Sequence, residues 1–98
     1  MARSKMAADG FAVLVQQWAT AAGTAAERRN EYRVRWSQAY MTSDAKTDTA
    51  RKAEADVKTG DARLARDMAQ IEADACFHTM IHEHGQAASA QLGRHEED

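Results

Sequence analysis

The sequence specifies an all-α fold, a long antiparallel helical hairpin, and three observations lead there. Proline is absent from the 98 residues, alanine is the commonest residue, and Glu, Arg, Gln and Lys supply further good helix formers. Two long segments repeat apolar or small residues in steps of three, four and seven, the mark of one helical face. Between them lies Met41-Thr42-Ser43-Asp44-Ala45-Lys46-Thr47-Asp48-Thr49, polar, free of large apolar groups apart from Met41, and suited to a turn. Aromatic residues make up only 6% and β-branched residues do not cluster, which argues against strands.

Taken in order, residues 1–8 are expected to fray and Asp9 to cap a first helix over residues 10–41. Its stripe is Phe11, Leu14, Trp18, Ala21/Ala22, Ala25, Tyr32, Trp36 and Ala39/Tyr40. The turn covers residues 42–48, and Thr47, Asp48 or Thr49 can cap the next helix. That second helix is expected over residues 49–92, on the stripe Ala53, Val57, Gly60, Leu64, Met68, Ile71, Ala75, His78 and Ile81/His82. Gly60 keeps phase with its neighbours and reads as interior. Gly85 marks a candidate break, and Gly93 a stop before a charged tail over residues 93–98. The whole chain, residues 1–98, forms one domain.

Folding the stripes back about the turn sets Trp36 against Ala53, Tyr32 against Val57, Ala25 against Leu64, Trp18 against Ile71 and Phe11 against His78. Arg28 and Arg29 then fall opposite Gly60 and Asp61. In this register the second helix outruns the first. Its surplus apolar residues, Phe77, Met80, Ile81, Ala88 and Leu92, form an expected oligomer or partner interface. A core made largely of alanine buries little area at ~25 cal/mol per Å², against ~1.5 kcal/mol of ordering per residue. Self-association into an oligomeric bundle is the natural remedy.

Net charge is −2, so no global basic signature exists. A local one does: Arg28, Arg29, Arg33 and Arg35 form a node with Tyr32 and Trp36, and the turn carries Lys46, Arg51 and Lys52 towards it. Guanidinium groups bind phosphate and aromatic rings stack on unpaired bases, the combination used for single strands. The bland alternative pairs these arginines with Glu27, Glu31, Asp56 and Asp61 and leaves the aromatics in the core.

His78 and His82, four residues apart, could share an ion if a second copy supplied two more ligands, but the run is not His-Glu-x-x-His. No metal or cofactor is therefore expected. The one cysteine, Cys76, fits a small buried hydrophobe better than a nucleophile, and no Gly-rich phosphate loop or paired-carboxylate motif occurs. The chain reads as non-enzymatic. The unpaired cysteine and the lack of an apolar leader or membrane span point to the cytoplasm, with no membrane partner.

The stretch from Tyr32 to Ala75 resembles the small helical-hairpin proteins of tailed phages, the UvsY-type recombination mediators. The resemblance rests on an aromatic and basic first helix, a Thr/Ser/Asp turn, and Arg51-Lys52-Ala53-x-Ala55 with Thr59, Arg63 and Ala69 beyond it. It implies an oligomer in the host cytoplasm that binds single-stranded DNA and helps load a recombinase. The competing expectation is an adaptor or inhibitor that binds a protein target through residues 77–92.

Overall fold

A computed structural model describes the backbone of residues 2–97 and the side chains of residues 10–86. Three helices follow one another: α1 (Ala2–Met41), α2 (Asp48–Lys58) and α3 (Gly60–Glu97). α1 packs along α3 and, near the turn, on α2. The hairpin measures 75 × 22 × 14 Å, a rod one helix pair wide.

The turn is held by its own polar groups. Thr42 N–H and Oγ1 both donate to Gln38 O, at 3.0 and 2.7 Å, and close the last turn of α1. Thr47 caps α2 by accepting from Ala50 N–H at 3.1 Å, which decides among the three candidate caps. Buried Ser43 accepts from Ala45 N–H at 3.1 Å and donates to Glu54. Arg51 Nε donates to Ala45 O at 2.8 Å. Tyr40 donates its hydroxyl to Asp48, which also pairs with Lys52 at 3.0 Å. These bonds hold the Asp48 carboxyl below its ordinary range and raise the Tyr40 phenol.

Helix boundaries depart from the expected ones in three places. α1 starts at Ala2, not near residue 10, because residues 2–8 contain no breaker and one glycine at position 10 costs only ~1 kcal/mol. α3 continues through Gly85 and Gly93 to Glu97, so neither divides nor stops it. Among the described residues no glycine takes the left-handed conformation of a helix stop. α1 has 40 residues against 11 in α2 and 38 in α3, so the second arm remains the longer one, by less than the expected boundaries gave.

The third departure is at Gly60, expected inside a continuous helix. α2 ends at Lys58, Thr59 leaves helical geometry (φ −112°, ψ 16°), and α3 begins at Gly60. Thr59 bonds back twice to Ala55 O, through N–H at 3.1 Å and Oγ1 at 2.6 Å. Back-bonding of this kind bends helices. Arg63 N–H still reaches Thr59 O at 3.0 Å, so the break is a kink and helical phase carries through it.

The stripe expected on α1 faces the partner helix. Leu14, Trp18, Ala21, Ala22, Ala25, Tyr32, Trp36, Ala39 and Tyr40 are buried or half-buried, with Phe11 just exposed. On the other arm the expected stripe faces away. The residues turned towards α1 are Ala55, Thr59, Ala62, Arg66, Ala69, Ala73, Cys76 and Met80, in steps of four and three. Val57, Leu64, Met68 and Ile71 are 61–82% exposed, whereas Ala55, Ala62 and Ala73 are at most 5% exposed. The reason is steric. α1 brings Trp18, Tyr32 and Trp36 to the seam, and helices approach closely only where large side chains meet small ones.

Register shifts accordingly. Phe11 sits on His84 (ring centroids 5.6 Å apart) rather than His78, and Trp18 on Phe77 (6.1 Å) rather than Ile71. Tyr32 lies under the Arg66 guanidinium at 4.5 Å rather than beside Val57. The turn, the short α2 and its kink take up residues that a straight hairpin would have placed along the seam.

Candidate interaction surface

The second arm, α2 and α3 together, carries two seams with the same spacing. The inner one is the small-residue line against α1. The outer one is Val57, Asp61, Leu64, Met68, Ile71, Ala75, His78 and His82, every member exposed. At 3.6 residues per turn the two lie roughly 160° apart, on nearly opposite faces. Alternating steps of three and four with large apolar residues form the a/d pattern of a helix that packs on another helix.

Charged groups border the outer seam and are mostly tied to their own chain. Lys58 pairs with Glu54 at 2.8 Å, Arg66 with Asp67 at 2.9 Å, and Gln70 donates to Asp74 at 3.0 Å. Asp61 receives both arms of Arg35, at 2.9 and 3.2 Å. That fork depresses the Asp61 carboxyl and raises the Arg35 guanidinium further. Hydrogen bonds from Lys58 first, then Ser43, lower Glu54. The border is polar but carries little unbalanced charge.

The basic node is largely engaged within the molecule. Arg28 pairs with Glu31 at 2.9 Å, Arg33 donates to neutral Asn30 at 3.1 Å, and Arg35 is held by Asp61, which Arg28 and Arg29 do not reach. Lys52 holds Asp48, and Arg51 serves as a strut in the turn. Among the described residues the side chains of Arg29 and Lys46 make no hydrogen bond or ion pair, and both are exposed. The aromatics are occupied too. Trp36 stacks on Tyr40 (5.5 Å, 9°) and donates Nε1–H to Asp56 Oδ1 at 2.8 Å, while Tyr32 is capped by Arg66. No Cβ contact constrains Gly60, so it makes no room for an arginine.

The apolar set expected at the far end divides. Phe77 turns towards Trp18, Met80 is half-buried on the inner seam, and Ile81 stays 49% exposed beside the outer one. The side chains of Ala88 and Leu92 lie outside the described residues. His78 and His82 share the outer face, and among the described residues no group of three or more metal-ligating side chains forms. Cys76, half-buried, lines a shallow groove of about 490 Å³ with Thr20, Thr24, Ala69 and Glu72.

Sequence reasoning found the outer residues but assigned them inward. A signal that discriminates was present: three bulky aromatics on α1 demand a small-residue partner, and Ala55, Ala62, Ala69 and Ala73 supply it in phase. Among the described residues no helix is long and apolar enough to cross a membrane. The chain matches no protein-family model, no curated protein and no solved structure.

Proposed function

We propose that this protein is a non-enzymatic helical interaction module whose working surface is the outer seam of α2 and α3. One observation carries the reading: Val57, Leu64, Met68 and Ile71 stand 61–82% exposed at heptad spacing while the helix buries alanine. Each such side chain gains ~1.5–3 kcal/mol on full burial, so an amphipathic helix laid along the seam recovers what the hairpin leaves in water. The surface lies mainly N-terminal to the residue 77–92 stripe, with Ile81 at its far end.

A labelled synthetic helix with Ile and Leu at its a and d positions provides the test. Its fluorescence anisotropy should rise saturably with the wild-type chain. Leu64→Asp/Ile71→Asp should weaken binding by about tenfold or more, since 1.4 kcal/mol is tenfold. Equal binding by both proteins, or by neither while the wild-type chain sediments as a single chain, sinks the reading.

A second reading rests on Arg29 and Arg33. They stand one helical turn apart on an exposed face, with no carboxylate partner among the described residues. Such a pair suits phosphate, consistent with single-stranded DNA and a mediator that assists a recombinase. With Tyr32 and Trp36 engaged, contact would be to the backbone more than to bases. Arg29→Ala/Arg33→Ala should then lower affinity for a short single-stranded oligonucleotide and reduce the salt slope by ~1–2. An unchanged slope removes this reading.

A further inference from the structure

We infer that the occupant of the outer seam is the same seam of a second copy of this chain, running antiparallel. The inference rests on the interaction-module reading and names its partner. Surface area is the first argument. The chain exposes 7738 Å² at 10.8 kDa, whereas a folded monomer of that mass exposes ~5,500 Å². The surplus, ~2,200 Å² per chain and so ~4,400 Å² for two, falls within the ~2,000–5,000 Å² in total that obligate homodimer interfaces remove. A heptad seam is also self-complementary, as a two-fold interface requires.

Charge sets the direction. In a parallel pair each layer meets itself, so Asp61 would face Asp61 and His78 would face His78. An antiparallel pair centred between Met68 and Ile71 sets Met68 against Ile71 of the second copy and Leu64 against Ala75. It also sets Asp61, whose carboxylate is already held by Arg35 of its own chain, against His78 at both ends of the seam, where the parallel pair would bring two such carboxylates together. The dipoles of the two α3 helices then oppose each other. Asp67 faces Asp74 of the second copy across the border in this arrangement, and each already has a donor on its own chain, Arg66 and Gln70. Joined this way, two hairpins make a four-helix layer with α3 inside and α1 outside on each side.

Sedimentation equilibrium of the full chain, combined with distances between spin labels, tests this. The expected mass is twice 10.8 kDa. In a Cys76→Ser background, a label on Glu72→Cys should lie close to its twin. A label on Lys58→Cys should lie ~35 Å from its twin, because 1.5 Å of rise per residue separates the two sites. Leu64→Asp/Ile71→Asp should raise the dimer dissociation constant roughly a hundredfold or more. If that variant fails to fold, the label distances on the intact seam still decide. Short distances at both labels overturn the antiparallel arrangement. A single-chain mass with retained, Leu64-dependent binding of the synthetic helix overturns the second copy and leaves the interaction module standing. A single-chain mass without such binding overturns both.

Discussion

Ala55→Leu and Ala62→Leu should each lower stability by about 1–3 kcal/mol, the usual cost of forcing extra methylenes into a filled site. Both alanines are essentially buried, at 0 and 5% exposure, on the line where α2 and α3 meet α1. Neither has space to receive a larger group without moving a helix. By hydropathy alone the substitutions should help, since they add apolar surface at a buried position. By packing they should harm, because the separation of the two arms is set by the smallness of this line. Ala53→Leu, elsewhere on the same helix and exposed, is the control and should stay within about 0.5 kcal/mol of wild type. Urea or thermal unfolding followed by circular dichroism at one fixed protein concentration reads the difference. Equal effects at Ala53 and Ala55 would mean that the inner line does not set the packing.

Trp36→Ala should cost about 2–4 kcal/mol, the lower part of the range for losing a core tryptophan, because the ring is only half-buried. Two attachments go at once. The indole stacks on Tyr40, whose hydroxyl binds Asp48 at the start of α2, and its N–H reaches Asp56 at 2.8 Å. The residue therefore ties the last turns of α1 to both ends of α2. Trp36→Phe separates the parts. It keeps a stacking ring and loses the hydrogen bond, so it should cost only ~0.5–1.5 kcal/mol. The same unfolding experiment distinguishes the two, and a Phe variant as unstable as the Ala variant would place the energy in the N–H contact instead. Near-ultraviolet circular dichroism of Trp36→Ala should also lose the signal of the Trp36–Tyr40 stack.

How much of this was legible in the sequence differs element by element. The turn was readable because its chemistry is local: Thr47 caps α2 directly, and Thr42 and Ser43 satisfy groups within a few residues. The α1 stripe was readable because that helix has one face of large residues. Its basic node could be located, but not its pairing, since Arg35 finds Asp61 across the hairpin while Arg28 finds Glu31 on its own helix. The kink was hidden for a different reason. Thr59 marks it through a side-chain bond to Ala55, and a periodic pattern that keeps its phase gives no sign of a break.

The order of amino acids is enough to specify an all-helical hairpin, the place of its turn, a short set of caps for α2 and the face of α1 that packs. Those features depend on propensity, on local hydrogen bonds and on a single unambiguous stripe. Which of two stripes of equal period on α2 and α3 goes inside is settled by packing across the hairpin. Both have the same period, so the choice rests on the size of what stands opposite. The aromatic ridge of α1 takes the alanine seam because close approach requires small partners, and Val57, Leu64, Met68 and Ile71 are left facing out, where a second helix can cover them.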